Sequence, residues 1–260
     1  MSESGLEITL FFPAYNEEAN LAGTISAASA ALSPTGRNYE LLIVDDGSRD
    51  NTPAIADRLA AADPHVRVVH QQNGGYGVAL ATGFREARGQ LIAFSDSDLQ
   101  FDLAELGLLL ARLDAGDVDA VIGYRIKRMD PAQRIFIAAV YNRLTALLFD
   151  LRLANPQGTM EPVRDIDCAL KVFKRSAIEG IPLASLSPFR TAELLIKLGA
   201  LRVPMAQVGV HHYPRTAGEN TGASPRKVLR TLRDLGMLRL RLTFARKASL
   251  GQRAAQGRAS

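Results

Sequence analysis

Over the first 125 residues, short apolar runs alternate with stretches whose apolar positions recur at helical intervals. Strand and helix are predicted in turn at 6–13, 17–32, 39–48, 52–62, 66–71, 77–87, 90–96, 103–113 and 119–125. Strands that are apolar throughout are typical of parallel sheets covered by helices on both faces. The pattern therefore predicts an α/β fold with a mostly parallel sheet, in which ligands bind at the carboxyl ends of the strands.

Beyond Arg125 this alternation stops. Residues 132–153 form a long apolar helix pattern, and the Pro- and Gly-rich stretch 154–162 predicts a loop. The rest predicts a short strand leading into a helix, another helix beginning near Pro188, and a late strand, at 165–178, 183–201 and 203–214. A final helix follows the loop 215–225, and the residues from about 251 onwards are expected to be disordered.

The final helix separates apolar from basic residues. Its apolar stripe is Val228, Leu232, Leu235, Leu238 and Leu242, and its basic face carries Arg226, Arg230, Arg233 and Arg241. Residues 226–260 hold ten Arg or Lys and one acid, a local net charge of +9 in a chain of net charge +4, so the remainder carries −5. A basic amphipathic helix suits an anionic membrane. The alternative is a helix packed on its own domain with a solvated basic face.

Polar side chains follow each of the first five predicted strands. They are Asn16, Glu17, Asp45, Asp46, Gln72, Asn73, Asp96, Asp98 and Arg125. Because the carboxyl ends of parallel strands meet at one edge, these side chains are expected to form a single polar site there.

The pair Asp96 and Asp98 has oxygen-bearing neighbours in Ser95, Ser97 and Gln100. Such hard ligands favour Mg²⁺ or Mn²⁺ over zinc, and Mg²⁺ is commonly held by one or two carboxylates plus substrate phosphates. The pair therefore indicates a diphosphate ligand. A capping aspartate at a strand-to-helix turn is the alternative interpretation.

Several other classes of protein are disfavoured. The chain has no GxxxxGK[ST] loop, and NGGYGVALATG has Leu80 where a dinucleotide loop needs its third glycine. Cys168 is the single cysteine, which fits a reducing compartment. The acidic amino terminus does not read as a secretory signal, and the apolar segment 135–151 is short for a membrane span and is interrupted by Arg143.

Four motifs in order, FPAYNEEANL, VDDGSRDNT, NGGYGVALATG and SDSDLQ, resemble the family 2 glycosyltransferases of the GT-A fold. Weaker matches at DIDCALKVFKR, RTAELLIK and HHYPRTAGENTG resemble the dolichyl-phosphate mannosyltransferase subgroup. The resemblance implies a Rossmann-like domain over 1–225, with a donor half (1–125) and an acceptor half (126–225). A basic amphipathic helix over 226–250 and a tail over 251–260 would follow.

The resemblance also implies roles for individual residues. The donor nucleotide would be bound by Pro13, Tyr15, Glu17, Asp45, Asp46, Asn73 and Asp96. Asp98 and Gln100 resemble the ligands of Mg²⁺ or Mn²⁺, with Asp96 contributing at the metal or the nucleotide. Arg215 resembles an arginine that clamps the donor phosphates.

On the acceptor side, Arg125 and Arg134 resemble contacts to an acceptor phosphate. Asp165 resembles an active-site aspartate and is the candidate base if the acceptor is a hydroxyl. Ala169 and Leu170 stand where relatives usually have Gly-Phe, so this part of the match is imperfect.

The implied activity is inverting sugar transfer from a nucleotide sugar, GDP-mannose or a UDP-sugar, to polyprenyl or dolichyl phosphate. Such an enzyme would lie in the cytoplasm, peripherally on the inner face of an anionic membrane, without a nucleic-acid partner, and a homodimer is left open. The rival interpretations are a family 2 transferase acting on a glycan hydroxyl, a nucleotidyltransferase of similar fold, and a non-catalytic nucleotide-binding module with a basic tail.

Overall fold

The computed structural model describes residues 5–129, 132–155, 157–215, 229 and 231–243, and only the backbone at 132 and 134. Within these residues, nine strands form one sheet in the order β3-β2-β1-β4-β8-β5-β9-β6-β7. In chain order they are Ile8–Ala14, Tyr39–Asp45, Val66–His70, Leu91–Phe94, Ala120–Arg125, Arg152–Ala154, Met160–Pro162, Lys171–Lys174 and Met205–Val210. All seven residues of β1 and of β2 are buried, as the continuous apolar runs require.

The sheet is mostly parallel, which confirms the predicted fold class. Strands β3, β2, β1 and β4 run parallel to one another, as do β5, β9 and β6. Strand β8 lies between the two groups and runs antiparallel to both β4 and β5. Strand β7 pairs antiparallel with β6 at the edge.

Helices cover both faces of the sheet. The helices α1 to α7 are Leu21–Leu32, Thr52–Ala62, Tyr76–Glu86, Leu106–Asp114, Ala132–Phe149, Arg175–Ile178 and Arg190–Ala200. Helices α1, α4 and α7 bury leucine side chains, and most of the largest fully buried side chains lie on β1, β2, β4 and β8. The core is therefore centred on the strands that carry the predicted site.

Two predicted boundaries near residue 150 were wrong. The helix predicted over 132–153 ends at Phe149, because Asp150 adopts a left-handed conformation with φ of 46°. The loop predicted over 154–162 instead contains β7, which forms a hairpin with β6. The Asn155 side chain closes the hairpin by accepting hydrogen bonds from the amides of Gln157 and Thr159. Three-residue strands are too short to show an alternating pattern.

The fourth strand ends earlier than predicted, at Phe94 rather than at Asp96. Asp96 and Asp98 therefore lie in the turn that follows, where Leu99 has a φ of 58°. The Ser97 hydroxyl fixes this turn by donating to the carbonyl oxygen of Pro13 at 2.9 Å.

Residues 231–243, within the predicted basic helix, are helical. Leu235 and Leu238 of the predicted stripe are buried against the domain. Asp234 fixes the helix further by accepting a 2.9 Å hydrogen bond from Ser187. This part of the stripe therefore packs on its own domain, as the alternative interpretation held. Within the described ranges, no helix has the length and apolarity needed to cross a membrane.

Candidate active site

A cavity of about 1150 Å³ opens at the carboxyl edge of the parallel strands. The predicted residues that line it are Pro13, Tyr15, Glu17, Asp46, Asn73, Asp96, Asp98, Gln100, Arg125 and Arg215. Asp45 and Asp165 are buried nearby without lining it. Arg134 lies on α5, and its side chain is outside the described residues. The structure thus brings together ten residues that are spread from position 13 to position 215 of the sequence.

One end of the cavity is formed by the loops after β1, β2 and β3. Asp46 holds the third loop in place: its carboxylate accepts hydrogen bonds from the amides of Gly74 and Gly75 at 2.9 and 2.8 Å, and from Gln71 at 2.6 Å. The Asn73 side chain donates to the Asp46 carbonyl oxygen at 2.9 Å. These bonds shape the pocket that a nucleoside would enter.

Gly47 makes this close approach of loops feasible. Its φ of 68° is rarely adopted by other residues, and a Cβ atom there would lie 2.8 Å from the backbone nitrogen of Asn73. The neighbouring Asp45 turns away from the cavity, where it accepts from the Ser48 amide and lies 2.9 Å from His70 Nδ1. Asp45 therefore supports the loop from behind.

Acidic side chains crowd the centre of the cavity. Asp96 accepts a 2.9 Å hydrogen bond from the Tyr76 hydroxyl, and Asp98, only 8% exposed, accepts from the Gln100 amide at 3.2 Å. Burial raises the pKa of both aspartates, and the charge of Asp96 helps to bring the pKa of Asp98 to about 6. Burial also raises the pKa of Glu17. The protein groups around these three carboxylates therefore do not fully stabilise their ionised forms.

Arg215 partly offsets this charge. Its guanidinium donates to Glu17 at 2.5 Å and lies 3.5 Å from Asp98. Its segment is joined to the turn after β4, because Tyr213 donates its amide to the Gln100 carbonyl oxygen at 2.8 Å and accepts from the Gln100 side chain at 3.0 Å. The arginine and the acidic turn are therefore positioned together.

The donor set fits a hard divalent cation. Carboxylate oxygens of Asp96 and Asp98 and the amide oxygen of Gln100 are the ligand types that Mg²⁺ and Mn²⁺ prefer. The raised pKa values indicate a site that gains from an added cation. Among the described side chains, no group of three His, Cys, Asp or Glu stands close enough to hold a metal alone. Remaining ligands would have to come from phosphates, as is usual for Mg²⁺.

Asp165 forms a buried ion pair. It accepts from Arg125 at 2.5 and 2.8 Å and lies 3.6 Å from Arg128. Burial acts to raise its pKa, but the bonds and charge of Arg125 and the charge of Arg128 prevail and lower it. A base must give up such stabilisation before it can take a proton, so the predicted role of Asp165 as a base stays a prediction that this geometry does not favour.

The cavity residues outside the predicted set include Tyr76, Arg128, Asp167 and Lys171. Lys171 is fully buried, and it donates to the carbonyl oxygen of Cys168 and lies over the ring of Phe94. Burial lowers its pKa, against the raising influence of nearby acids. A signal was present in DIDCALK, where a lysine and two acids stand within an otherwise apolar stretch.

The remaining wall is apolar. It is formed by Phe136, Val140 and Leu144 of α5 and by Leu232 of the final helix. Phe136 is 70% exposed, and Leu147, one turn beyond Leu144, is 80% exposed. A polar cavity that continues into exposed aliphatic side chains suits a ligand with a charged and an apolar part.

Comparison with known proteins decides the family. The family model described as Glycosyl transferase family 2 matches residues 9–181. The chain belongs to glycosyl transferase family 2. Its matched region begins in β1 and runs through the acidic turn, Arg125 and DIDCALK to α6.

Similar curated proteins are transferases. An undecaprenyl-phosphate 4-deoxy-4-formamido-L-arabinose transferase of Shewanella sediminis is 31% identical over 82% of this chain and 61% of its own length. Glycosyltransferase AglD of Haloferax volcanii is 32% identical over 68% of this chain and 28% of its own length. The chain thus spans less than two thirds of either relative.

Solved structures show the fold. Glucosyl-3-phosphoglycerate synthase of Mycobacterium tuberculosis in complex with phosphoglyceric acid has a TM-score of 0.66, at 23% identity over 90% of this chain and 81% of the other. The same enzyme with Mn²⁺, UDP and phosphoglyceric acid has a TM-score of 0.67, at 22% identity over 90% and 80%. The predicted GT-A fold is confirmed.

Proposed function

We propose that this chain is a metal-dependent, inverting glycosyltransferase that moves a sugar from a nucleotide sugar to a polyprenyl or dolichyl phosphate at a membrane surface. The observation that carries the proposal is a single cavity with an acidic, arginine-flanked end and an exposed apolar wall. A nucleoside diphosphate suits the first and a prenyl chain the second. The name of the Shewanella relative, an undecaprenyl-phosphate 4-deoxy-4-formamido-L-arabinose transferase, supports the prenyl phosphate acceptor.

In this proposal the donor is a GDP- or UDP-sugar. Its nucleoside lies among Pro13, Tyr15 and the loop held by Asp46, and Arg215 bonds the diphosphate after leaving Glu17. Asp96, Asp98 and Gln100 would hold Mg²⁺ or Mn²⁺. When bound, the cation would neutralise charge on the departing nucleoside diphosphate. The Arg215 guanidinium would also stabilise the charge on the departing nucleoside diphosphate.

The acceptor phosphate lies towards Arg125 and Arg128, beside the apolar wall of α5. A phosphate monoester is largely ionised near neutral pH, so its oxygen attacks the anomeric carbon without a strong base. Fixing the two reactants in one orientation then provides much of the rate enhancement. This proposal is compatible with an Asp165 that is retained in an ion pair with Arg125.

The membrane location rests on the exposed apolar residues around the cavity mouth. Phe136, Val140 and Leu147 lie on the outer side of α5, and Leu229 and Leu240 are exposed on the final helix. Exposed Arg143, Arg233, Arg239 and Arg241 accompany them on the two helices. Apolar side chains interleaved with arginines suit an anionic bilayer surface. We propose a peripheral position on the cytoplasmic face.

The test is to incubate the purified protein with Mn²⁺ and a panel of GDP- and UDP-sugars, with and without undecaprenyl phosphate. We expect release of nucleoside diphosphate that depends on the lipid. Transfer only to a lipid-linked glycan would instead establish a hydroxyl acceptor. Binding of donors without any turnover would indicate a non-catalytic module, and either result would contradict the proposal.

A further inference from the structure

Two acids on one turn point in different directions. The turn before β8 is closed by the Cys168 amide, which donates to the Asp165 carbonyl oxygen, and by Ile166, which donates to Asn142 of α5 at 3.0 Å. The Asp165 side chain is buried against Arg125, whereas Asp167 is accessible and lines the cavity. The turn therefore holds Asp167 in place without using its carboxylate.

Asp167 makes no hydrogen bond or ion pair with any residue in the described part of the chain. The hydroxyl of Tyr141 is buried and lines the same cavity, and its neighbour among the described side chains is the hydroxyl of Thr145, one turn further along α5. The Tyr141 hydroxyl can donate to a ligand in the cavity, and the Asp167 carboxylate, which is open to the same cavity, can accept hydrogen bonds from that ligand.

The electrostatic neighbours of Asp167 locate it within the cavity. Although the Asp167 side chain is open to the cavity, the protein around the cavity shields it from bulk solvent; this desolvation and the charge of Asp165 raise its pKa to about 6, while Lys171, Arg125 and Arg128 act to lower it. Burial raises the pKa of Tyr141, and the charge of Asp167 adds to that increase. The charge of Asp167 also contributes to the raised pKa of Tyr76, whose hydroxyl donates a hydrogen bond to Asp96. Asp167 thus lies between the diphosphate end and the apolar wall of α5.

A transferred sugar has to occupy that position, because the anomeric carbon joins the donor diphosphate at one end and meets the acceptor at the other. A carboxylate accepts hydrogen bonds from neighbouring sugar hydroxyls, or pairs with a sugar amino group. It repels a sugar that carries its own carboxylate. A tyrosine hydroxyl can donate to a sugar oxygen.

We propose that Asp167 and Tyr141 form the subsite for the transferred sugar and select neutral or amino sugars over uronic acids. The inference rests on the proposed nucleotide-sugar donor. It assigns both residues to ligand binding rather than to the fold, and it separates them from Asp165, whose carboxylate serves the ion pair with Arg125.

The experiment compares binding of a nucleotide with and without its sugar. Titration calorimetry with Mn²⁺ would measure UDP, UDP-glucose and UDP-glucuronic acid, and GDP with GDP-mannose, on the wild-type protein and on Asp167→Asn and Tyr141→Phe. Asp167→Asn should bind the nucleoside diphosphates within twofold of wild type. It should bind the preferred nucleotide sugar roughly 10- to 100-fold more weakly, as expected for loss of a hydrogen bond to a charged group. Tyr141→Phe should weaken the same ligand by several-fold.

Discrimination against the uronic acid should shrink in Asp167→Asn, because the repelling charge is gone. Asp119→Asn, which removes an acid paired with Lys174 outside the cavity, is the control: it should leave the ratio of nucleotide to nucleotide-sugar affinity unchanged. Equal weakening of UDP and UDP-glucose by Asp167→Asn, or no weakening at all, overturns the sugar subsite.

Failure of the proposed function would look different. If the wild-type protein binds nucleotide sugars but transfers nothing to undecaprenyl phosphate, the acceptor assignment falls and the same titrations still decide the subsite. If the wild-type protein binds no nucleotide sugar, both proposals fall.

Discussion

Replacing Asp98 with asparagine should stabilise the metal-free protein while removing its response to metal. Asp98 is buried and its pKa is about 6 instead of 3.8. At 1.36 kcal/mol per pKa unit, keeping this carboxylate ionised at pH 7.5 costs about 3 kcal/mol of folding free energy. An asparagine carries no such charge.

The raised pKa of Asp98 determines how the stability of the wild-type protein changes with pH. Between pH 4 and 6 the folded state keeps a proton that the unfolded chain has released, so the wild-type stability falls as pH rises through this range. The advantage of Asp98→Asn should therefore be small near pH 4.5 and reach its full size above pH 6. A chain of this size shifts its melting temperature by about 2–4 °C per kcal/mol, which gives roughly 6–12 °C at pH 7.5.

The assay is thermal melting with EDTA at pH 4.5, 6.0 and 7.5, followed by the same series with Mn²⁺ and UDP. Ligand at about 100 times its dissociation constant should stabilise wild type by about 2.7 kcal/mol and leave Asp98→Asn almost unchanged. Asp50→Asn is the control, because hydrogen bonds from Thr52 and Glu18 outweigh its slight burial and lower its pKa. It should gain nothing. A less stable Asp98→Asn at pH 7.5 in EDTA would refute the reasoning.

Three other changes test separate parts of the structure. Asp165→Asn removes the charged acceptor from the buried ion pair with Arg125 and should cost about 3–5 kcal/mol in urea denaturation, and an unchanged midpoint would contradict this. Gly47→Ala should cost about 1–3 kcal/mol and weaken UDP binding in calorimetry. Gly36→Ala is its control, because Gly36 has the same φ of 68° but open space around it, and equal effects would exclude the contact with Asn73 as the cause. Asp234→Ala should speed hydrogen exchange in 231–243 without affecting the sheet, and protection equal to wild type would show that the bond to Ser187 is not needed.

Much of the fold could be predicted because long buried strands carry a strong local signal. The polar residues after β1 to β5 could be assembled into one site because parallel topology brings their carboxyl ends to one edge. That argument needs only the order of elements. It places Glu17, Asp98 and Arg125 around one cavity without any knowledge of side-chain contacts.

The remaining features of the fold and the site depend on tertiary contacts, which the spacing of residues along the sequence does not determine. Asp165 and Asp167 look equivalent in DIDCALK, and only the direction of each side chain in the turn decides which is paired and which enters the cavity. The hairpin of β6 and β7 forms because β9 offers an edge to β6, a tertiary circumstance. For the final helix, the sequence pattern was compatible both with leucines packed on the domain and with leucines exposed to a membrane, and the helix has leucines of both kinds.

The reversed direction of β8 has a consequence for how sequences of this type are read. In its register Lys171, the first residue of β8, stands opposite Phe94, the last residue of β4. Because β8 runs antiparallel to its neighbours, its amino-terminal end lies at the edge of the sheet where ligands bind. The residues that reach the ligand therefore come before this strand in the sequence. A rule that considers only the residues after each strand misses these positions, and Asp167 is one of them. In chains with one inverted strand, the upstream loop is the place to look for determinants of substrate choice.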